Sequence, residues 1–145
     1  MAAQIGKEIG MFAKGEKASS NVFIGTAWVN LLVPDADGIY DCQVYDVVFE
    51  PGARNHWHSH PGGQLLLITQ GMGFYQERGK VARRLREGDV VQIPPDVEHW
   101  HGAAPDDGFT HIGISPNTHK GAAAWFGPVT DEEYEAAAND GNRQV

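Results

Sequence analysis

The chain has 145 residues, 41% of them hydrophobic and 21% charged, which suits one domain with a sizeable buried core. Eleven Lys and Arg against nineteen Asp and Glu leave a formal charge of −8, a balance that repels phosphate backbones and anionic lipid surfaces. The longest aliphatic stretch, Leu65 to Ile68, falls far short of the roughly 20 apolar residues a bilayer span needs, so no membrane partner is expected.

Residues 1–20 are polar and weakly patterned and read as an arm or short helix. Their lack of a continuous apolar run argues against a secretory signal, and the lone Cys42 suits a reducing cytoplasm. From residue 21 onward the pattern is of short strands cut by turns. The segment 22–33 is rich in β-branched and aromatic residues and stops at Pro34-Asp35-Ala36-Asp37-Gly38. Val44 to Phe49 follows, closed by Glu50-Pro51-Gly52, and then HWHSH at 56–60, closed by Pro61-Gly62-Gly63. Leu65 to Thr69 reads as a strand buried on both faces. Phe74 to Gln76 and Val81 to Leu85 flank Arg78-Gly79-Lys80 as a hairpin. Val90 to Ile93, 97–102 and 109–115 complete the strands, and the spacing indicates an all-β sandwich or closed barrel over 21–128. Residues 129–145 carry the one strong helix signal, a capping box from Thr130 to Glu133 with an acidic first turn and a stop at Asn139-Asp140-Gly141.

Six of the seven histidines fall within 56–60 and 99–111. On a strand, residues two apart share a face, so His58 and His60 project together, as do His99 and His101. Gln64 follows the Pro-Gly-Gly turn and can return to the same pocket. Neutral imidazoles from two strands suit a divalent transition metal, Mn, Fe, Ni or Zn, over calcium or magnesium. Ordinary core or surface imidazoles are the competing reading, which two paired clusters make much the weaker. His101 lies about 6–7 Å along the strand from His99, within one substrate of such a metal. A neutral imidazole there can take a proton near pH 7; the alternative is a core ring bonded to backbone. His111 starts the inward face of its strand, where packing and catalysis are equally good readings. Tyr45, Gln92 and Ser115 alternate within apolar strands and are candidate pocket donors, although Gln92 suits a solvent-facing position nearly as well. Trp57 and Trp100 have the opposite parity and read as packing residues. Glu50 and Arg54 flank a turn and suit a weak surface ion pair.

Two strings carry a resemblance. Gly52, His58, His60, Gln64 and Gly71 match the spacing of the first cupin motif, and Gly88, Pro94, Asp96 and His99 match the second. The sequence thus resembles the cupin superfamily, which implies a single jelly-roll type β-barrel, here with a short C-terminal helix. Gln64 stands where the motif has Glu, Asp96 replaces a turn Gly, and Ala103 replaces the final Asn. FEPGARNHWHSHPGGQLLLITQG, EGDVVQIPPDVEHWHGAAPDDGFTHIGI and AAAWFGPVTDEEYEAA are similar to short cupins with a Gln ligand. That subgroup includes carboxymuconolactone-decarboxylase-associated cupins and manganese-dependent hydroxynitrile lyases.

The resemblance implies metal ligands His58, His60, Gln64 and His99, with Mn the first choice, and His101 as the base beside them. Val47 agrees with the lyases' pocket wall, whereas Tyr45 stands at a small Ala of those enzymes and Ser115 at a Gln. A neutral ligand set leaves the metal at +2, a stronger Lewis acid less inclined to O2 chemistry. These readings point to a metal-dependent lyase, decarboxylase or isomerase acting on a small oxygenated molecule. The alternative is a non-catalytic cupin that binds a small molecule as sensor or carrier. Related cupins pair their N-terminal strands across a dimer, so a homodimer is also implied.

Overall fold

The computed structural model describes residues 10–142. Its strands in chain order are β1 (Glu16–Lys17), β2 (Phe23–Ile24), β3 (Ala27–Val33), β4 (Cys42–Phe49), β5 (Arg54–Asn55) and β6 (Trp57–Ser59). They continue as β7 (Gln64–Glu77), β8 (Arg83–Arg86), β9 (Val90–Ile93), β10 (His99–Ala103), β11 (Phe109–Pro116) and β12 (Ala124–Gly127), before helix α1 (Asp131–Asn142). The strands pair antiparallel and form one curled sheet in the order β1-β3-β4-β11-β7-β10-β5-β2, with β8 and β9 on β7, and β6 between β10 and β12. The fold is the expected all-β barrel with a C-terminal helix. No helix among the described residues is long and apolar enough to cross a membrane.

Strand β7 is the hinge of the architecture. Its first half pairs with β9 and β11, its second half with β8 and β10, so one strand belongs to both walls. Two separate strands are expected here from sequence; instead the chain runs on through Gly71, at φ 79°. A Cβ at Gly71 would lie 1.9 Å from the Gly108 carbonyl oxygen, so the bend is open only to glycine. The opposite correction applies to 22–33. Gly25, at φ 80°, divides it into β2, which pairs with β5, and β3, which pairs with β4 and β1. Of the arm, Glu16 and Lys17 add a short edge to β3, while residues 1–9 lie outside the described residues.

Apolar residues are buried on both sides of the strands. The barrel interior is filled by Phe49, Leu66, Ile68, Val91, Ile93 and Phe109 with their neighbours. A second cluster lies on the outer face, where Trp57, Phe74 and Trp100 pack against Val129, Tyr134, Ala137 and Ala138. Helix α1 begins as the capping box requires: Glu133 N–H donates to Thr130 Oγ1 at 3.1 Å, and Thr130 N–H to Glu133 Oε1 at 2.9 Å. Tyr134 Oη donates to the Ala103 carbonyl at 2.6 Å, tying the helix to the end of β10.

Arg54 departs from the sequence expectation. It is 5% exposed, and its Nη2 donates to the Val129 carbonyl and to Asp131 Oδ1, both at 2.9 Å. Its guanidinium lies 4.5 Å from the Tyr134 ring centroid. Glu50 instead accepts from Trp28 Nε1, so the expected Glu50–Arg54 surface pair is replaced by a buried anchor for the helix.

Asp46, on β4, is 2% exposed, and its Oδ2 is buried without a hydrogen bond. Burial pushes its carboxyl up from 3.8 to about 6. The native state therefore holds this proton where the unfolded chain has lost it, and the group's contribution falls as pH rises through 6. Asp46→Asn should be more stable than the parent at pH 8, with an advantage roughly 1–2 kcal/mol larger than at pH 5 in paired urea titrations. An advantage independent of pH would exclude Asp46 as the titrating group.

Candidate metal centre and pocket

Two strand segments deliver the histidines in the same way. His58 on β6 and His99 on β10 are register partners, so their side chains meet inside the barrel mouth, with ring centroids 4.3 Å apart. His60 joins them from the residue just after β6, and ligand nitrogens of His58, His60 and His99 all lie within 4.8 Å of one another. Gln64, 3% exposed at the start of β7, places its Oε1 3.1 Å from His99 Nε2.

The hydrogens in this cluster can be assigned from the backbone. His58 Nδ1 stands 2.7 Å from the His56 carbonyl, and His99 Nδ1 stands 2.8 Å from that of Val97. A carbonyl only accepts, so both Nδ1 atoms carry hydrogen. Burial above all, with neighbouring imidazoles adding to it, lowers His58 well below the ordinary value. Burial also brings His60 and His99 to about 4. The rings of His58 and His99 are therefore neutral at pH 7, and their Nε2 atoms present lone pairs. His60 Nε2 is buried with no hydrogen-bond partner. Between Gln64 Oε1 and His99 Nε2 there is then no hydrogen to share. Lone pairs of His58 and His99, the unpartnered His60 Nε2 and the Gln64 amide oxygen meet in one small volume, an arrangement that a divalent cation satisfies. His58, His60, Gln64 and His99 thus fit a metal.

Beside this cluster is a cavity of about 470 Å³ lined by Tyr45, Val47, His101, His111 and Ser115, with Phe23, Val29, Asn55 and Trp125 among its other walls. His101 is 3% exposed, and its ring stacks parallel to that of His99 at 5.9 Å. Asn55 fixes it: Oδ1 accepts from the His101 backbone N–H at 2.9 Å, and Nδ2 lies 3.1 Å from Nε2 and 3.3 Å from Nδ1. Burial, followed by the neighbouring His111, holds the His101 ring neutral. His111, held at about 4 by burial, is completely buried with neither ring nitrogen bonded. It follows a bulge in the β11–β7 pairing at Thr110/His111. Tyr45 Oη accepts from Gln64 Nε2 at 2.6 Å and lies 2.8 Å from Ser115 Oγ. Burial raises its pKa, so the phenol keeps its hydrogen.

Gln92 does not join the site. Val91 and Ile93 take the inward positions of β9, and Gln92 is exposed on the outer face. Trp57 and Trp100 pack behind the histidines under α1, as their parity implies. Asn55 and Trp125 also line the pocket. Asn55 is three residues from His58, yet both face the pocket, because the ladder breaks at His56 and the alternation restarts. Trp125, on β12, stacks on His58 at 4.7 Å. No local pattern in the sequence marks either one.

The Cupin domain family matches residues 45–110. An (R)-mandelonitrile lyase of Granulicella tundricola is 40% identical over 128 residues, covering 88% of this chain and 96% of that protein. A crystal structure of a cupin-like protein from Thermotoga maritima superposes with a TM-score of 0.88 at 62% identity, covering 88% of this chain and 96% of that one. A DMSP lyase from Ruegeria pomeroyi shares the fold at a TM-score of 0.61 and 20% identity, over 79% of this chain and 58% of its own.

A cation bound here stabilises the native state only. Mn2+ at a hundredfold excess over its dissociation constant should raise the melting temperature by about 5–10 °C, and His99→Ala should lose most of that increment. A parent protein whose melting ignores Mn2+, Fe2+, Ni2+ and Zn2+ alike would refute the metal assignment.

Proposed function

Because the chain belongs to the cupin family, we propose that it is a small metal-dependent enzyme with lyase, decarboxylase or isomerase chemistry on a small oxygenated substrate. His58, His60, Gln64 and His99 hold the metal, for which Mn is the first choice, and His101 moves a proton beside it. The observation that carries this reading is the neutral, lone-pair-rich cluster opening onto a pocket that also holds two further imidazoles, His101 and His111. A divalent ion held by four neutral groups keeps its full charge and supplies Lewis acidity towards an oxygen atom.

The remaining work falls to the chain's own residues. Among the described residues no Asp, Glu, Lys or Arg lines the pocket, so the substrate is oriented by hydrogen bonds and shape. His101, neutral and held by its backbone N–H on Asn55 Oδ1, is the proton acceptor. Its low basicity means that it takes a proton only from a strongly acidified donor and returns it readily. His111, whose ring centroid lies 4.8 Å from that of His101, offers a further hydrogen bond to the substrate. Val29, Val47 and Phe23 form an apolar wall that keeps water from the reacting atoms.

The mandelonitrile lyase relative supports carbon–carbon lyase chemistry as a class. Its substrate is not carried over. The Tyr45 ring packs over Gly113, where an added Cβ would come within 2.2 Å of it, and it occupies the Gln64 side of the cavity. This favours compact hydroxy or keto compounds over an aromatic cyanohydrin. We also propose a homodimer in solution, which a sedimentation measurement at several concentrations tests.

Mn-loaded protein should turn over at least one member of a panel of small cyanohydrins, lactones, hydroxy acids and keto acids. His101→Ala should lower that rate about a hundredfold with its metal content unchanged. Tight retention of an unaltered small molecule, with no turnover across the panel, would replace the enzyme reading by that of a binding protein.

A further inference from the structure

We propose that Tyr45, braced by Ser115, is a positioning residue that selects which end of the Gln64 amide faces the three histidines. The proposal rests on the metal-site reading above. A carboxylate at this position presents the same oxygen whichever way it turns; an amide does not. Only Oε1 can donate a lone pair to a cation, and a half-turn about the last side-chain bond would aim the NH2 group there instead.

Left to itself, the amide has reason to turn the wrong way. With Nε2 towards His99, it would donate to that ring's Nε2 lone pair, and Oε1 would accept from the Tyr45 hydroxyl. Both contacts would then be satisfied without any metal. The chain adopts the other orientation: Nε2 donates to Tyr45 Oη at 2.6 Å, and Oε1 stands 3.1 Å from His99 Nε2. What permits this is the third member of the chain. A phenol has one hydrogen, and Ser115 Oγ lies 2.8 Å from Tyr45 Oη. When Tyr45 donates to Ser115, its oxygen has only lone pairs to offer Gln64, and the NH2 end is the one they attract.

Geometry keeps the phenol in place. Tyr45 is opposite Gly113 in the β4–β11 register, and the absence of a side chain at Gly113 lets the ring lie flat on β11. Ser115 follows two residues along β11 on the same face and so reaches the hydroxyl. The substitution of an amide for the motif's carboxylate and the presence of a hydroxyl pair behind it are therefore one device.

The test is a double-mutant cycle read by Mn2+ affinity in chelator competition, with no substrate involved. Tyr45→Phe should weaken Mn2+ binding about tenfold in the parent, as losing an outer partner of a metal ligand does. In the Gln64→Glu background it should change affinity less than about twofold, because a carboxylate needs no such selection. Ser115→Ala should give a smaller loss of the same sign, again only with Gln64 present. The visible absorption of the Co2+-substituted protein should shift in Tyr45→Phe and not in the Tyr45→Phe, Gln64→Glu pair. Equal losses in both backgrounds would mean that Tyr45 acts through packing or as an ordinary outer partner of either side chain and overturn the proposal, as would unchanged affinity in Tyr45→Phe. A Tyr45→Phe chain that fails to fold leaves the decision to Ser115→Ala in the same two backgrounds. Failure of the parent to bind Mn2+ or Co2+ at all is a separate result, which overturns the metal site and this proposal with it.

Discussion

Electron pairs repel, and a protein that points several of them at one another inside its own walls must hold them there. His58, His99 and Gln64 do this with no intervening hydrogen, and His60 adds a buried nitrogen with no partner. The free energy lost when such groups leave water without hydrogen bonds runs to a few kcal/mol each. The rest of the structure reads as the scaffold that sustains this arrangement. A backbone carbonyl two residues upstream fixes the tautomer of both His58 and His99, and aromatic packing fixes the strands that bear them.

The supporting packing is two-sided. Every inward histidine on β6 and β10 alternates with a Trp or a small residue facing out, so one strand serves the site and the outer core together. Trp57 and Trp100 are thereby fastened under α1 while His58 and His101 face the cavity and His99 meets His58 inside the barrel. Arg54 performs a related task at the edge of β5, where it joins the barrel to the first turn of the helix. Deep burial also keeps the imidazoles neutral, so the packing that stiffens the site sets its chemistry too.

Much of this was legible in the sequence, since alternation on a strand is a local property. The patterns HWHSH and HWH already separate ligand-side from packing-side residues, and the Thr130–Glu133 box announces the helix start. Illegible features arose where the outcome depends on strands far away in the chain. Three of the four residues of β9 are apolar, so alternation alone could not say that Gln92 faces outward. The break at His56 shifts the phase and brings Asn55 into the pocket. Arg54 became a buried anchor because a helix more than seventy residues later supplies its acceptors. The runs 65–69 and 74–76 read as two strands, yet Gly71 bends one continuous strand shared by two walls.

The placement of α1 also bears on how the protein comes to be made. The strand that carries His99 and His101 is backed by residues 129–138, so ribosomal synthesis must pass those positions before the outer face of that strand can be covered. Until then Trp57, Phe74 and Trp100 are without their helical partners. Closure of such distant contacts is intrinsically late in folding. The strands that carry the histidines are therefore made before the helix that covers their outer face, and its docking completes the packing behind the site.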